Sequence, residues 1–273
     1  MTAQLRASAE QNVNRLKANR YPGRGIIIGL TPDGTRLMQV YWIMGRSENS
    51  RNRIFVKEDN GFVRTEAKDP AKLSDPSLII YYPVKHWRDA HIVTNGDQTD
   101  TIFDALSGGG AFAESAGAGV RPGARPSGEV HADAAAAWDG AFEAALSTRS
   151  FEPDAPNYTP RISGIVDLKD RQCAYRLSIL KTNMGDPSQT QRFFYHYEQA
   201  LPGYGHLIHT YSGDGEPLPS FAGEPALVPL ADDIGATARM YWDLLDADNK
   251  IALLVKTIRR DNGQTEIRIV NKE

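Results

Sequence analysis

The chain has 273 residues, 41% of them hydrophobic and 24% charged, which suffices for a sizeable core and excludes wholesale disorder. Its 31 basic and 34 acidic side chains leave a net charge of −3, without the basic footprint of a nucleic-acid binder. The lone cysteine, Cys173, rules out an intrachain disulfide or a cysteine metal cluster and points to a reducing, cytoplasmic setting.

The opening MTAQLRASAE, with Arg6 and Glu10, lacks the apolar core of a signal peptide. Residues 1–20 read instead as a helix with Leu5, Val13 and Leu16 on one stripe, ended by Tyr21-Pro22-Gly23. Strands follow. Gly25–Leu30 leads through Pro32-Asp33-Gly34 into Leu37–Met44, a hairpin pattern. Its apolar run Ile26–Ile28 is strand-sized against the roughly 18 residues of a membrane span. The polar loop Gly45–Arg53 precedes a second hairpin, Ile54–Lys57 with Phe62–Thr65, and strands are expected at Leu78–Tyr82 and Ala90–Val93. Thr99-Asp100 is expected to cap a short helix through Ile102, Phe103 and Leu106. Residues 107–128, rich in Gly, Ala and Pro, read as a flexible surface insertion, and Ala132–Leu146 as an alanine-rich helix. Further strands are expected at Ile162–Leu168, Cys173–Lys181, Gln191–Tyr197 and His206–Tyr211. A Pro-rich loop at 213–225, a helix near Ile234–Leu245 and a hairpin of Lys250–Ile258 with Thr265–Val270 close the chain. This order is α+β with largely antiparallel pairing, expected as one domain over 1–273.

Three polar segments offer chemistry. Arg46, Arg51 and Arg53, interleaved with Ser47, Asn49, Ser50 and Asn52, suit a phosphate or carboxylate; a solvated turn is the plainer reading. Residues 94–101 place backbone amides and hydroxyls at a helix start, where an anion can bind or an ordinary N-cap can stand. Phe151-Glu152 and Tyr158-Thr159-Pro160-Arg161 gather acid, phenol, hydroxyl and guanidinium, or form a polar connection. The six histidines show no metal spacing: His206 and His209, three apart in a strand, face opposite sides. No GxSxG elbow, phosphate loop or dinucleotide fingerprint is present, and Cys173, in an apolar strand pattern, reads as a buried structural thiol.

In order, these segments resemble the archaeal-type IMP cyclohydrolases, a family with bacterial members too. The likeness begins at Gly23-Arg24 and the first hairpin, then takes in Arg46-Ser47, Asn52-Arg53 and the Tyr81 segment. It is most specific at Asn95-Gly96-x-x-Thr99-Asp100-Thr101-Ile102. Glu152 and Thr159-Pro160-Arg161-Ile162 complete it, with Tyr197-Glu198-Gln199 a weaker match, so it runs from about residue 24 to 200. The N-terminal helix, the Gly-rich insertion and the segment around Pro217–Pro225 depart from the short archaeal form.

The resemblance implies a four-layer αββα sandwich of the N-terminal-nucleophile-hydrolase type, used without a nucleophile. It implies cyclisation of 5-formamidoimidazole-4-carboxamide ribotide (FAICAR) to IMP and water, the last ring closure of purine synthesis, with no metal or other cofactor. The catalytic residues would be Arg53, Tyr81 and Glu152, Tyr81 depending on a one-residue gap beside Tyr82. Contacts to the substrate would come from Arg46, Ser47, Asn95, Thr99, Asp100 and Arg161. The implied partner is a purine ribonucleotide, without nucleic acid or membrane; a homo-oligomer is compatible with this. Two other readings stay open: a purine-nucleotide sensor on the same scaffold, and an amide hydrolase matured by self-cleavage. The segment Tyr21–Gly25 offers the hydrolase no Cys, Ser or Thr to expose as a new terminus.

Overall fold

The computed structural model describes residues 3–73, 75–76, 78–108 and 140–273. Two antiparallel sheets dominate it. In the six-stranded sheet the order is β11 (Ala226–Pro229), β10 (Tyr204–His209), β1 (Gly25–Leu30), β2 (Arg36–Met44), β12 (Lys250–Arg259) and β13 (Thr265–Asn271). The seven-stranded sheet runs β3 (Ile54–Lys57), β4 (Val63–Glu66), β5 (Val84–Trp87), β6 (Ala90–Thr94), β7 (Arg161–Asp167), β8 (Tyr175–Asn183) and β9 (Asp186–Tyr197). The helices are α1 (Ala3–Ala18), α2 (Glu48–Arg51), α3 (Gln98–Ser107), α4 (Ala141–Ser147) and α5 (Ile234–Leu244), with a 3-10 turn at Pro70–Lys72. No helix among the described residues is long and apolar enough to cross a membrane.

The unbroken apolar runs of β1 and β2 follow from burial on both faces. Successive strand side chains point to opposite sides. Ile26, Ile28, Tyr41 and Ile43 therefore meet Val84, Val93, Ile162 and Leu177 of the other sheet, forming the inter-sheet core. Their neighbours Ile27, Met38, Val40 and Trp42 face outward onto Leu16 of α1 and Ile234, Ala238 and Tyr241 of α5. The Trp42 and Tyr241 rings stack with centroids 6.3 Å apart. On the opposite side, Ala90, Ile92, Ile165 and Leu180 pack under Ile102 and Leu106 of α3 and Phe142 and Leu146 of α4. Helices thus cover the outer faces of two stacked sheets, an α+β arrangement with the antiparallel pairing that the order of elements implied.

Several expectations change. Leu78–Tyr82 is not a strand: amides of Ile79 and Ile80 turn back onto Pro76 O, and only Tyr81 pairs with Thr65 of β4. Pro76 and Pro83, which cannot donate to a ladder, bracket the run. Helix α3 starts one residue before Thr99, with Asp97 at its N-cap. Cys173 precedes β8 instead of lying in it, yet is buried. Helix α2 lies within the segment read as a polar loop, while strand β11 and the 3-10 turn fall in stretches for which no element was expected. Of the expected alanine-rich helix, Ala141–Ser147 is observed; 132–139, and 109–128 of the insertion, lie outside the described residues.

Two glycines let backbones approach closely. Gly29 of β1 lies opposite Gly205 of β10, and a Cβ on Gly29 would stand 2.2 Å from Tyr204 O and 2.4 Å from Gly205 Cα. A Cβ on Gly164 would instead meet the tip of Ile28 across the sheets, 2.5 Å from its Cδ1. Backbone cannot step aside as a side-chain end can. Gly29→Ala is therefore expected to cost about 1–3 kcal/mol and Gly164→Ala less, as read from denaturant midpoints at equal m-value.

Candidate functional site

At one end of the sandwich β1 begins, β2 ends and β7 begins, and there the interior turns polar. Arg24, Tyr41, Arg53, Tyr81, Glu152 and Arg161 are all buried there and act electrostatically on one another. Arg24 and Arg161 are the polar residues adjoining or opening β1 and β7, so the strands themselves deliver them to this end. Tyr41 takes the inward position two residues from Ile43.

The loops aim the others. Ser47 caps α2 through a capping box with Ser50, and Arg53 Nε then donates to Ser50 O at 2.8 Å. Thr65 Oγ1 accepts from the Tyr81 amide at 2.9 Å, so the turn at 78–82 sends Tyr81 inward to share a 2.7 Å hydrogen bond with the Tyr41 hydroxyl. Tyr82 diverges and donates to Glu58 at 2.9 Å, outside the cluster. The Glu152 amide donates to Thr159 O, and Asp154 receives the Thr159 amide, folding 152–159 into a closed loop. Thr159 Oγ1 also bonds the Tyr211 hydroxyl. Position 96 is close to the cluster: a Cβ there would stand 2.7 Å from Arg161 Nη1 and 3.0 Å from Glu152 Oε1, so a larger residue would displace these side-chain ends.

Charge in this space is unevenly matched. Glu152, 1% exposed, has its carboxyl pushed up to about 7 by burial, against the pull of Arg24 and Arg161. Burial works against the charge of Arg24, yet Glu152 and the nearby phenols outweigh it and hold that guanidinium firmly protonated. Burial and the neighbouring Arg24 push Arg53 down. Burial raises the phenols of Tyr81 and Tyr41, keeping both protonated near neutral pH. Both Nη atoms of Arg53, Nε of Arg24 and Oε2 of Glu152 are buried without a hydrogen-bond partner. Buried donors and acceptors left open at one place are those a polar ligand would satisfy.

The other sequence-derived residues divide. Arg161 joins the cluster, with Nη1 4.0 Å from Glu152 Oε1, 2.5 Å from Asp97 Oδ1 and 2.8 Å from Gln98 Oε1. Asn95 is spent inside the fold: its Nδ2 donates to Pro160 O, and its Oδ1 receives the Ile162 amide at 2.8 Å. Thr99 is buried against Thr94, the hydroxyls 2.6 Å apart. Asn95 thus pins the Gly96 turn to β7, and Thr99 closes the turn on itself through Thr94 and Gly96 O. Arg46 stands at the rim, paired to Asp214 at 2.7 Å and Glu216 at 2.9 Å, its guanidinium 5.2 Å from the Tyr21 ring centre. Ser47 is exposed, and Asp100 pairs with Lys85 at 2.7 Å, away from the cluster.

Sequence reasoning passed over Arg24, Tyr41, Tyr21 and Tyr211 as site residues. Arg24 lay inside the quoted Gly23-Arg24 segment, whereas Tyr41 carried only the parity of β2. Tyr21 and Tyr211, whose rings stack at 5.8 Å, form an aromatic wall beside Arg24 that no local motif announces.

Two stacked antiparallel sheets with helices on their outer faces and a buried Arg–Tyr–Glu cluster at one end define an α+β protein. The chain belongs to the IMP cyclohydrolase-like family: the family described as IMP cyclohydrolase-like protein matches residues 21–120 and 133–263. It is also similar to an IMP cyclohydrolase of Methanopyrus kandleri, 36% identical over 89 residues that take in 33% of this chain. The match spans 43% of that relative's length.

The Glu152 carboxyl gives a stability signature. Unfolded, it releases its proton near the ordinary 4.5; folded, it keeps it until about 7. The folded state therefore binds more protons in that window, and stability falls as pH rises through it. Relative to Glu152→Gln, which does not titrate, wild-type protein should lose stability progressively from about pH 4.5 to 7 in thermal melts.

Proposed function

We propose that this protein is an IMP cyclohydrolase of purine biosynthesis, closing FAICAR to IMP with loss of water in the cytoplasm. The carrying observation is Glu152, a buried carboxyl poised near neutrality among arginines whose donor atoms are unsatisfied. The chain is read as one catalytic unit over residues 1–273, its layers of the N-terminal-nucleophile-hydrolase type. The segment entering β1, Gly23-Arg24-Gly25, supplies no hydroxyl or thiol nucleophile.

The reaction explains the absence of any need for one. The carboxamide nitrogen attacks the formyl carbon of the same molecule, so holding the two arms in an attack geometry supplies much of the acceleration. As the new C–N bond forms, Glu152 takes the proton from the nitrogen. Negative charge then gathers on the formyl oxygen, which faces the Nη donors of Arg53 and the Tyr81 hydroxyl in this reading. With Tyr41 donating to Tyr81, the Tyr81 proton is free to be given to that oxygen. Loss of the carbinol oxygen as water, with the remaining nitrogen proton removed, completes the pyrimidine ring. Arg161 and Arg46 are the cations assigned to the ribotide phosphate, and Asn95 and Thr99 contribute by holding the turn beside Arg161 in place. Substrate would displace carboxylates such as Asp97 and Asp214 from these guanidiniums.

Purified protein should convert FAICAR to IMP without added metal, followed by ultraviolet absorbance. Arg53→Ala and Glu152→Gln should each lower turnover about 10²-fold or more. Absence of conversion, with IMP still raising the melting temperature, would replace the enzyme reading by a nucleotide-binding one.

A base must be ionised to accept a proton. The rate constant kcat/KM should therefore rise with pH to a plateau, with its midpoint near 7 in the free enzyme. A profile that is flat through that region would remove Glu152 from the role of base.

A further inference from the structure

A second polar cluster lies within the apolar seam between the sheets and takes no part in the proposed chemistry. Gln39 of β2 and Lys256 of β12 are cross-strand partners, both completely buried. His86 of β5 and His91 of β6 are likewise partners in the opposing sheet, their ring centres 5.7 Å apart. Gln39 ties the two pairs together, its Nε2 donating to His91 O at 2.9 Å. Five polar atoms remain buried without a hydrogen-bond partner: Lys256 Nζ, Gln39 Oε1, both ring nitrogens of His91 and Nδ1 of His86. Their surroundings, Val84, Val93, Leu254 and Ile258, offer none.

Open buried polar atoms are rare in folded proteins, and five in one place mark a site. Their chemistry states what fits. A protonated lysine brings three N–H donors and each neutral imidazole one, against few acceptors, of which Gln39 Oε1 is fixed in orientation by its amide's bond to His91 O. Donors outnumber acceptors, so the complement is an anion. No acid among the described residues offsets the lysine: burial alone pushes Lys256 down to about 7. Burial, then Lys256, hold His91 at about 2, and the same causes lower His86, so both rings stay neutral. Deprotonation of the amine leaves two N–H donors and one lone pair, a set that water can satisfy instead.

We propose that Lys256, His91, His86 and Gln39 form a binding site for a small inorganic anion, taken up together with a proton on Lys256. The site lies along the seam from the Arg24–Glu152 cluster and stands independently of the cyclohydrolase reading.

The test compares thermal unfolding of the full chain in sodium chloride and sodium gluconate at equal ionic strength. At about pH 6, chloride in several-fold excess over its dissociation constant should raise the melting temperature by about 2–4 °C relative to gluconate. The difference should shrink at about pH 8 and vanish in Lys256→Met. Equal melting temperatures in the two salts at the lower pH, or a difference that persists in Lys256→Met, would overturn the proposal. Should that variant fail to fold, wild-type crystals grown in bromide decide. An anomalous peak in contact with Lys256 Nζ supports the site, and a seam without one overturns it.

Discussion

Everything at the functional end of this molecule depends on keeping guanidinium and carboxyl groups out of water. A charge moved into a protein interior is tolerated only when partners or neutralisation offset the loss of hydration. Here Glu152 answers by holding its proton up to about 7, and Arg24 answers by drawing on Glu152 and the surrounding phenols. Arg53, pressed by Arg24, keeps only its Nε occupied. A carboxyl that can change state at neutral pH is what acid–base chemistry requires. The capping of α2, the turn at 78–82 and the closed loop 152–159 are the scaffolding that holds these groups in place.

The strand order and its antiparallel character were legible in the sequence because burial on both faces leaves unbroken apolar runs, and turn residues punctuate them. Strands β1, β2 and β12 were readable for that reason, and β13 from the Asp261-Asn262-Gly263 turn signal that joins it to β12. Leu78–Tyr82 was misread because a short apolar run does not by itself distinguish strand from turn; as a turn it buries Ile79 and Tyr81 and leaves Ile80 exposed. Only the flanking prolines spoke against a strand. Helix α2 has four residues and owes its existence to the Ser47–Ser50 capping pair, a signal lost in a loop otherwise read for its arginines.

The site was partly legible for a different reason. Glu152, Arg53 and Arg161 stand in polar segments that read equally well as ordinary connections, and it was the ordered resemblance to a family that singled them out. Tyr41 was hidden by its ordinary place in an apolar strand; its meaning comes from Tyr81, forty positions away. Asn95 and Thr99 show the converse, since polar side chains near a site serve equally to lock a turn. Sequence gives the type of donor, whereas the fold decides whether it is still free.

One connection reaches past the matched family segment. Helix α1 precedes residue 21, where that match begins. It is nonetheless bound in: Asn12 Nδ2 donates to Leu227 O at 2.9 Å, and Asn19 Nδ2 to Tyr211 O at 3.3 Å. Asn19 Oδ1 also receives the Tyr21 amide at 3.0 Å. One asparagine thereby holds both members of the aromatic wall beside Arg24. The segment 3–19 behaves as an external brace: an appendage outside the shared family segment ties both members of a wall inside it, so accessory sequence can tune a polar cluster it never enters.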